Sequence, residues 1–285
     1  MSWIEISNLS KNYGKREVIH DLNLRVEEGI SLIQGHNGAG KSTLISIMEG
    51  LTRFKSGKVS VLGIDPRKEP KKLMEMVSFI PESPVFFGSQ NIQEFLNIYT
   101  KLNGGNREYL KYYMDTFGIS EIASSHFQSL SKGEAQLVQI VASFSTQKGY
   151  FVMDEPNSNL DVKRRRDLSK EIKKLKDSSG SSFLIVTHII DDIFPISDHI
   201  YLMNSGKIQL SSDLKDLNSD GLVEKITISA LDLPGIMKSL DQLNPIQSGH
   251  EIIISGVDMY RIISSLSSDQ IKSITSIKKS LEMPS

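Results

Sequence analysis

The chain has no cysteine and a single tryptophan, and it nowhere reaches the ~18 consecutive apolar residues of a membrane span. Without thiols, disulfides and thiolate-bound metals are excluded, which suits the cytosol. An excess of charge of either sign is missing too. Lys and Arg number 33 against 34 Asp and Glu, a formal net charge of −1, whereas a protein that mainly coats nucleic acid carries a basic excess. The opening residues Met1-Ser2-Trp3-Ile4-Glu5 put an acid where a signal peptide would need apolar side chains. Any membrane role is therefore expected to come through a partner. What is present, 39% hydrophobic and 24% charged residues in a chain of 285, is the make-up of a globular protein. Such a chain can form one large domain, or one large and one small.

The most informative stretch is Gly35-His36-Asn37-Gly38-Ala39-Gly40-Lys41-Ser42-Thr43. It has the phosphate-loop spacing, Gly, four residues, then Gly-Lys-Ser. Gly29-Ile30-Ser31-Leu32-Ile33-Gln34 before it reads as a buried strand, and Leu44, Ile45, Ile47 and Met48 after it give a helix an apolar face. A glycine-rich turn lets backbone N–H groups approach a polyphosphate, and the following helix directs its positive end at the same anion. Lys41 is then expected to reach the β- and γ-phosphates, and the Ser42 hydroxyl to ligate Mg²⁺.

Around this loop the pattern alternates strands and helices. Residues 3 to 33 read as short strands; 59–62 and 77–80 continue them, the latter halted by Pro81. Helices are expected at about 91–102, 109–117 and 136–144, then a buried strand at 150–153, a charged helix at about 163–176, a buried strand at 183–186 and a hairpin at 200–210. Strands that alternate with helices, two of them apolar throughout, indicate an α/β fold with a mainly parallel sheet. A polar seam at 213–221 precedes an Ile- and Ser-rich tail. Its strands at 226–228 and 252–254, a helix opened by Pro234 and another on Met259, Ile262, Ile263 and Leu266 make a small α+β domain at 222–285.

Two further motifs bear on the loop. Met153-Asp154-Glu155-Pro156 ends a buried strand in two carboxylates, the place where ligands bind in parallel sheets. Asp154 is expected to hold Mg²⁺, and Glu155 to polarise the water that attacks the γ-phosphate. Leu130-Ser131-Lys132-Gly133-Glu134-Ala135-Gln136 sets a hydroxyl, backbone N–H groups and a helix N-terminus towards an anion. An ordinary N-capped helix would look the same in isolation. One nucleotide does not need two such sites from one subunit, so a head-to-tail pair is the economical reading.

With these residues in order, residues 1 to 217 resemble the nucleotide-binding subunit of an ATP-binding cassette (ABC) transporter. The resemblance implies a P-loop NTPase cassette: an antiparallel β subdomain, a parallel-sheet ATPase core and a helical subdomain at about 83–145. It implies that Tyr13 stacks on adenine, that 35–43 bind ATP, and that Asp154 and Glu155 are the Walker B acid and the catalytic glutamate. By the same resemblance Ser131, Lys132, Gly133 and Glu134 form the signature that acts in trans, Asp161 belongs to the D-loop, and His188 is the switch histidine. Glu82 takes the place of the usual glutamine that senses Mg²⁺ and is expected in the ATP site as a further metal ligand; Lys132 takes that of a glycine, Glu134 that of a glutamine, and Asn157 and Asn159 precede the D-loop aspartate.

A working but slow ATPase is expected, using ATP and Mg²⁺ and pairing with a second nucleotide-binding subunit. Its place is the cytoplasmic face of the membrane, on a transmembrane permease, with export favoured and no nucleic acid involved. Val85-Phe86-Phe87 would suit the docking surface or an ordinary core cluster. The rival is a soluble ABC ATPase acting on ribosomes or DNA, but the second cassette or long coiled-coil insertion of such proteins is missing. A non-hydrolysing regulatory cassette is opposed by the presence of both Glu155 and His188.

Overall fold

Two long strands, β1 (Ser2–Tyr13) and β2 (Arg16–Glu27), open the computed structural model, which describes residues 1–83, 90–189, 192–213, 223–255, 262 and 265–282. They pair antiparallel, and β1 pairs again with β4 (Ser56–Val61), giving the sheet order β2-β1-β4. The expected short strands are these two 12-residue strands. Their alternation is broken by register shifts and by left-handed Asn8 and Asp21, with φ of 52° and 47°. A bulge re-aims side chains without ending the pairing, so a two-residue period alone splits the strand.

The second sheet carries the site. Its strands are β3 (Ile30–Gln34), β5 (Val77–Ile80), β6 (Tyr150–Asp154), β7 (Ser182–Val186), β8 (His199–Asn204) and β9 (Lys207–Asp213). The order is β5-β6-β7-β3-β8-β9, parallel except for the β8–β9 hairpin. All five residues of β3 and of β7 are buried, as strands covered on both faces must be. Helix α1 (Lys41–Met48) leaves β3 through the phosphate loop. Helix α2 (Pro70–Met76) precedes β5. Nothing in the sequence reading marked it, because it is short and buries only Leu73.

The helices α3 (Ile92–Leu102), α4 (Arg107–Thr116) and α5 (Lys132–Ser145) pack on one another beside this sheet. Asn91 opens α3 with a capping box that includes Glu94, each partner satisfying an otherwise orphaned donor. Phe144 of α5, Phe151 of β6 and Phe183 of β7 are fully buried; the last two rings stack at 4.8 Å. Each such side chain contributes roughly 1.5–3 kcal/mol by burial. Helix α6 (Val162–Ser179) covers the sheet with Leu168, Ile172 and Leu175, and Gly180 ends it with a left-handed φ of 68°.

The C-terminal unit is a four-stranded antiparallel sheet, β11-β12-β10-β13, built from β10 (Val223–Ala230), β11 (Ile246–Ser248), β12 (Glu251–Ser255) and β13 (Ile274–Glu282). Helix α7 (Leu233–Ser239), with Pro234 in its first turn, packs on it, and α8 (Ser268–Ser273) leads into β13. Strands β11 and β13 and helix α8 were not anticipated from the sequence. The seam beyond Asp213, Met259 and Ile263 of the expected helix, and Val85-Phe86-Phe87 lie outside the described residues. Among the described residues no helix is long and apolar enough to cross a membrane.

Candidate functional site

The phosphate loop is held shut from behind. A Cβ on Gly35 would meet the Met203 carbonyl of β8 at 2.3 Å, so only glycine lets the loop lie this close to the sheet. Gly40 adopts φ 103° to turn the chain into α1, a conformation that costs other L-residues dearly. Lys41 is buried, and its Nζ donates to the Gly35 carbonyl at 2.7 Å and the His36 carbonyl at 3.2 Å. The same Nζ lies 3.9 Å from Glu155 Oε1. Burial pulls the ammonium below its ordinary range, opposed by the charges of Glu155, Asp154 and Glu82. Ala39 is buried, whereas Asn37 and Gly38 form the exposed crest.

Strand β6 delivers the acids from the other side. Asp154 is 6% exposed, and its Oδ1 has no hydrogen-bond partner among the described residues. Its carboxyl is pushed up to about 6. Burial is the main cause; a hydrogen bond from Ser42 opposes it, Glu155 and Glu82 add to it, and Lys41 also opposes. Glu155 follows with a left-handed φ of 46°, a backbone state that persists in a non-glycine residue only where its surroundings enforce it. Three donors enforce it through Oε2: Thr187 Oγ1 at 2.9 Å, the His188 backbone N–H at 3.2 Å and His188 Nδ1 at 2.8 Å. Its backbone N–H also bonds the Val186 carbonyl at 2.7 Å. Oε1 has no hydrogen bond among the described residues and is the oxygen nearest Lys41.

A cleft of about 480 Å³ unites these groups: Tyr13, Asn37, Gly38, Gly40, Lys41, Ser42, Thr43 and Glu82 line it together with Asp154, Glu155 and His188. Tyr13 is 51% exposed, with the Lys11 ammonium 4.4 Å from its ring centroid. Arg16 and Val18 also line the cleft. Sequence reading missed both, although the Gly14-Lys15 turn that pairs Tyr13 with Arg16 was a local signal. Asn157, read from the sequence only as a residue ahead of Asp161, also supports the site. It is fully buried and donates to the Ile189 carbonyl at 2.8 Å, and its Oδ1 lies 2.8 Å from Thr187 Oγ1, sharing that hydroxyl's one proton with Glu155 Oε2, so it ties the two loops that carry Glu155 and His188.

The remaining expected residues stand apart from this cleft. Ser131 is the exposed N-cap of α5. Its hydroxyl and backbone N–H both donate to Glu134 Oε2, at 2.6 and 2.8 Å, completing a capping box. This hydrogen bonding holds the Glu134 carboxyl below its ordinary range. Lys132 is exposed beside them, while Gly133 is buried, and a Cβ there would meet the Asn159 carbonyl at 2.4 Å. The glycine thus has a packing reason within the chain. Asp161 caps α6, accepting from the Arg164 backbone at 2.9 Å.

The donors suit a hydrated dication bound with phosphate. Ser42 offers a hydroxyl and Asp154 an orphaned, buried carboxylate oxygen, the two protein ligands that Mg²⁺ takes in phosphate loops. Among the described residues no group of three or more His, Asp or Glu could chelate a metal unaided.

A phosphate loop at the mouth of a parallel sheet, facing paired acids, defines the class as a nucleoside-triphosphate hydrolase. Comparison narrows it. Residues 19–158 match the family model described as ABC transporter. An ABC transporter ATP-binding protein of Methanosarcina acetivorans is 32% identical over 229 residues, covering 75% of this chain and 78% of that one. The spermidine/putrescine import ATP-binding protein PotA of Spiroplasma citri is 29% identical over 214 residues, 72% of this chain and 60% of its own length. Among solved structures, an ATP-binding subunit of an ABC transporter aligns with a TM-score of 0.69 at 26% identity, over 75% of this chain and 91% of that one. The chain belongs to the ATP-binding subunits of ABC transporters and is an ATPase.

Proposed function

We propose that this chain powers a transmembrane permease by pairing with a second nucleotide-binding subunit, each pair of facing surfaces closing on ATP and Mg²⁺. The observation that carries the reading is the separation of two anion-directed elements. The cleft holds Lys41, Ser42, Asp154, Glu155 and His188, whereas Ser131 and the N-terminus of α5 do not line it and stand exposed. A second subunit is the source of the missing wall. In this reading Lys41 leaves the Gly35 carbonyl for the β- and γ-phosphates, and Ser42 and Asp154 hold the metal, which neutralises phosphate charge. Glu155, oriented through Oε2, keeps Oε1 for the attacking water, and His188 meets the γ-phosphate. ATP favours the closed pair only through contacts that the open form lacks; cleavage removes them.

Glu82 places a carboxylate near Asp154 where the family usually has an amide, and Glu134 puts another at the proposed trans site. Both slow turnover by repelling phosphate. Export is the direction we propose, from the small α+β unit that follows the cassette. Uptake is the second reading, because PotA is named for import. The working position is the cytoplasmic face of the membrane, peripheral to the permease and without nucleic acid; the division at 1–217 and 222–285 belongs to the same proposal. Glu155→Gln tests the pairing. With Mg²⁺ and ATP the variant is expected to sediment as a dimer and to turn over about 10²- to 10⁴-fold more slowly. A monomer with wild-type turnover would overturn it.

A further inference from the structure

The C-terminal unit meets the cassette at the spot where the phosphate loop is anchored. Asn204 ends β8 with its side chain buried, and its Nδ2 donates to the Ile274 carbonyl at the start of β13, at 3.0 Å. Gln209 of β9 donates to the same carbonyl at 3.1 Å. On the other side of the amide, Asn204 Oδ1 accepts from Ser205 Oγ at 3.0 Å and lies 3.0 Å from His36 Nε2.

The surroundings fix which way the amide faces. Turned over, its oxygen would oppose the Ile274 carbonyl. His36 therefore donates through Nε2, which leaves Nδ1 of the neutral ring no proton to share with the Asn37 carbonyl 2.7 Å away, so it is the Nε2 bond that ties the ring to the hairpin turn. Backbone contacts reinforce the junction: Gly206 N–H donates to the Ala39 carbonyl at 2.9 Å, and the Gly206 carbonyl accepts from His20 N–H at 3.0 Å. One hairpin turn thus touches the phosphate loop, the N-terminal sheet and the C-terminal unit.

We propose that the C-terminal unit regulates nucleotide binding through Asn204. Seating the Ile274 carbonyl on Asn204 and Gln209 orients the amide that holds His36, and displacing the C-terminal sheet releases the phosphate loop. The inference rests on residues 35–43 being the ATP site. Coupling of this kind is reciprocal, so nucleotide in the cleft also steadies the sheet.

The test uses the full chain, Mg²⁺ and a non-hydrolysable ATP analogue. Gln209 contacts no cleft residue named above, yet Gln209→Leu is expected to weaken analogue binding about five-fold, the effect of one neutral hydrogen bond. Gln209→Glu, of the same shape but with the donor replaced by an acceptor, is expected to do the same. In a His36→Ala background neither change should weaken binding further, because the link is already cut. Analogue binding should also slow hydrogen exchange in residues 226–230 and 252–254 of the wild type and leave it unchanged in His36→Ala. Wild-type affinity in both Gln209 variants, or an equal loss with and without His36, would overturn the proposal while the ATP site stands. A wild-type chain that binds no analogue would instead bring down the ATP-site reading itself, and this inference with it.

Discussion

Replacing Asp154 by Asn should make the nucleotide-free protein more stable, although it removes a proposed metal ligand. The carboxyl is 6% exposed, and its proton affinity is raised from the ordinary 3.8 to about 6, chiefly by burial. At about 1.4 kcal/mol per decade, keeping it ionised at neutral pH costs the fold roughly 3 kcal/mol. The sign follows from proton counting. Between the two values the native state binds more protons than the unfolded chain, so stability falls as pH rises and the loss is complete above about 6. Asp154→Asn keeps the volume and a partner for Ser42 without the charge. Urea unfolding without Mg²⁺ or nucleotide should show the variant ahead by roughly 1.5 kcal/mol at pH 5 and roughly 3 kcal/mol at pH 7.5. With Mg²⁺ and ATP added, the wild type should gain more thermal stability than the variant. A variant no more stable than wild type at pH 7.5, or an advantage that does not grow with pH, would refute the reasoning.

Thr187→Val removes the one hydroxyl proton that buried Glu155 Oε2 and Asn157 Oδ1 share. It should lower stability by about 1.5–3 kcal/mol, as hydrogen bonds to charged groups do, and Thr187→Ser should restore it; an unchanged urea midpoint in the Val variant would count against this support for Glu155. Gly133→Ala drives a Cβ to within 2.4 Å of the Asn159 carbonyl and should cost about 1–3 kcal/mol without any nucleotide. A neutral effect would mean that Gly133 has no packing role within the chain.

The phosphate loop was legible because its glycines encode backbone geometry directly: the close approach at Gly35 and the left-handed turn at Gly40 follow from residue type. The apolar run before Asp154 likewise announced a strand buried on both faces. Helix α2 escaped because one buried leucine in seven residues gives no period. Strand β13 and helix α8 lie in Ser-rich sequence, where neither alternation nor an apolar stripe stands out. The capping box joining Ser131 and Glu134 was open to view as Ser-x-x-Glu, and an N-capped helix was the alternative that the sequence left beside an anion site. Thr187 supports Glu155 across 32 residues of chain and meets Asn157, in Glu155's own loop, across 30. Only the folded sheet makes them neighbours.

The proposed partnership between subunits is open to direct test by mixing two inactive variants. Ser131→Arg keeps an intact Lys41, and Lys41→Ala keeps an intact Ser131, so a mixed pair contains one site with both residues native. ATP turnover should return on mixing and peak near equal amounts. If both variants fold, the wild type hydrolyses ATP and the mixture stays inactive at every ratio, the head-to-tail pair is contradicted.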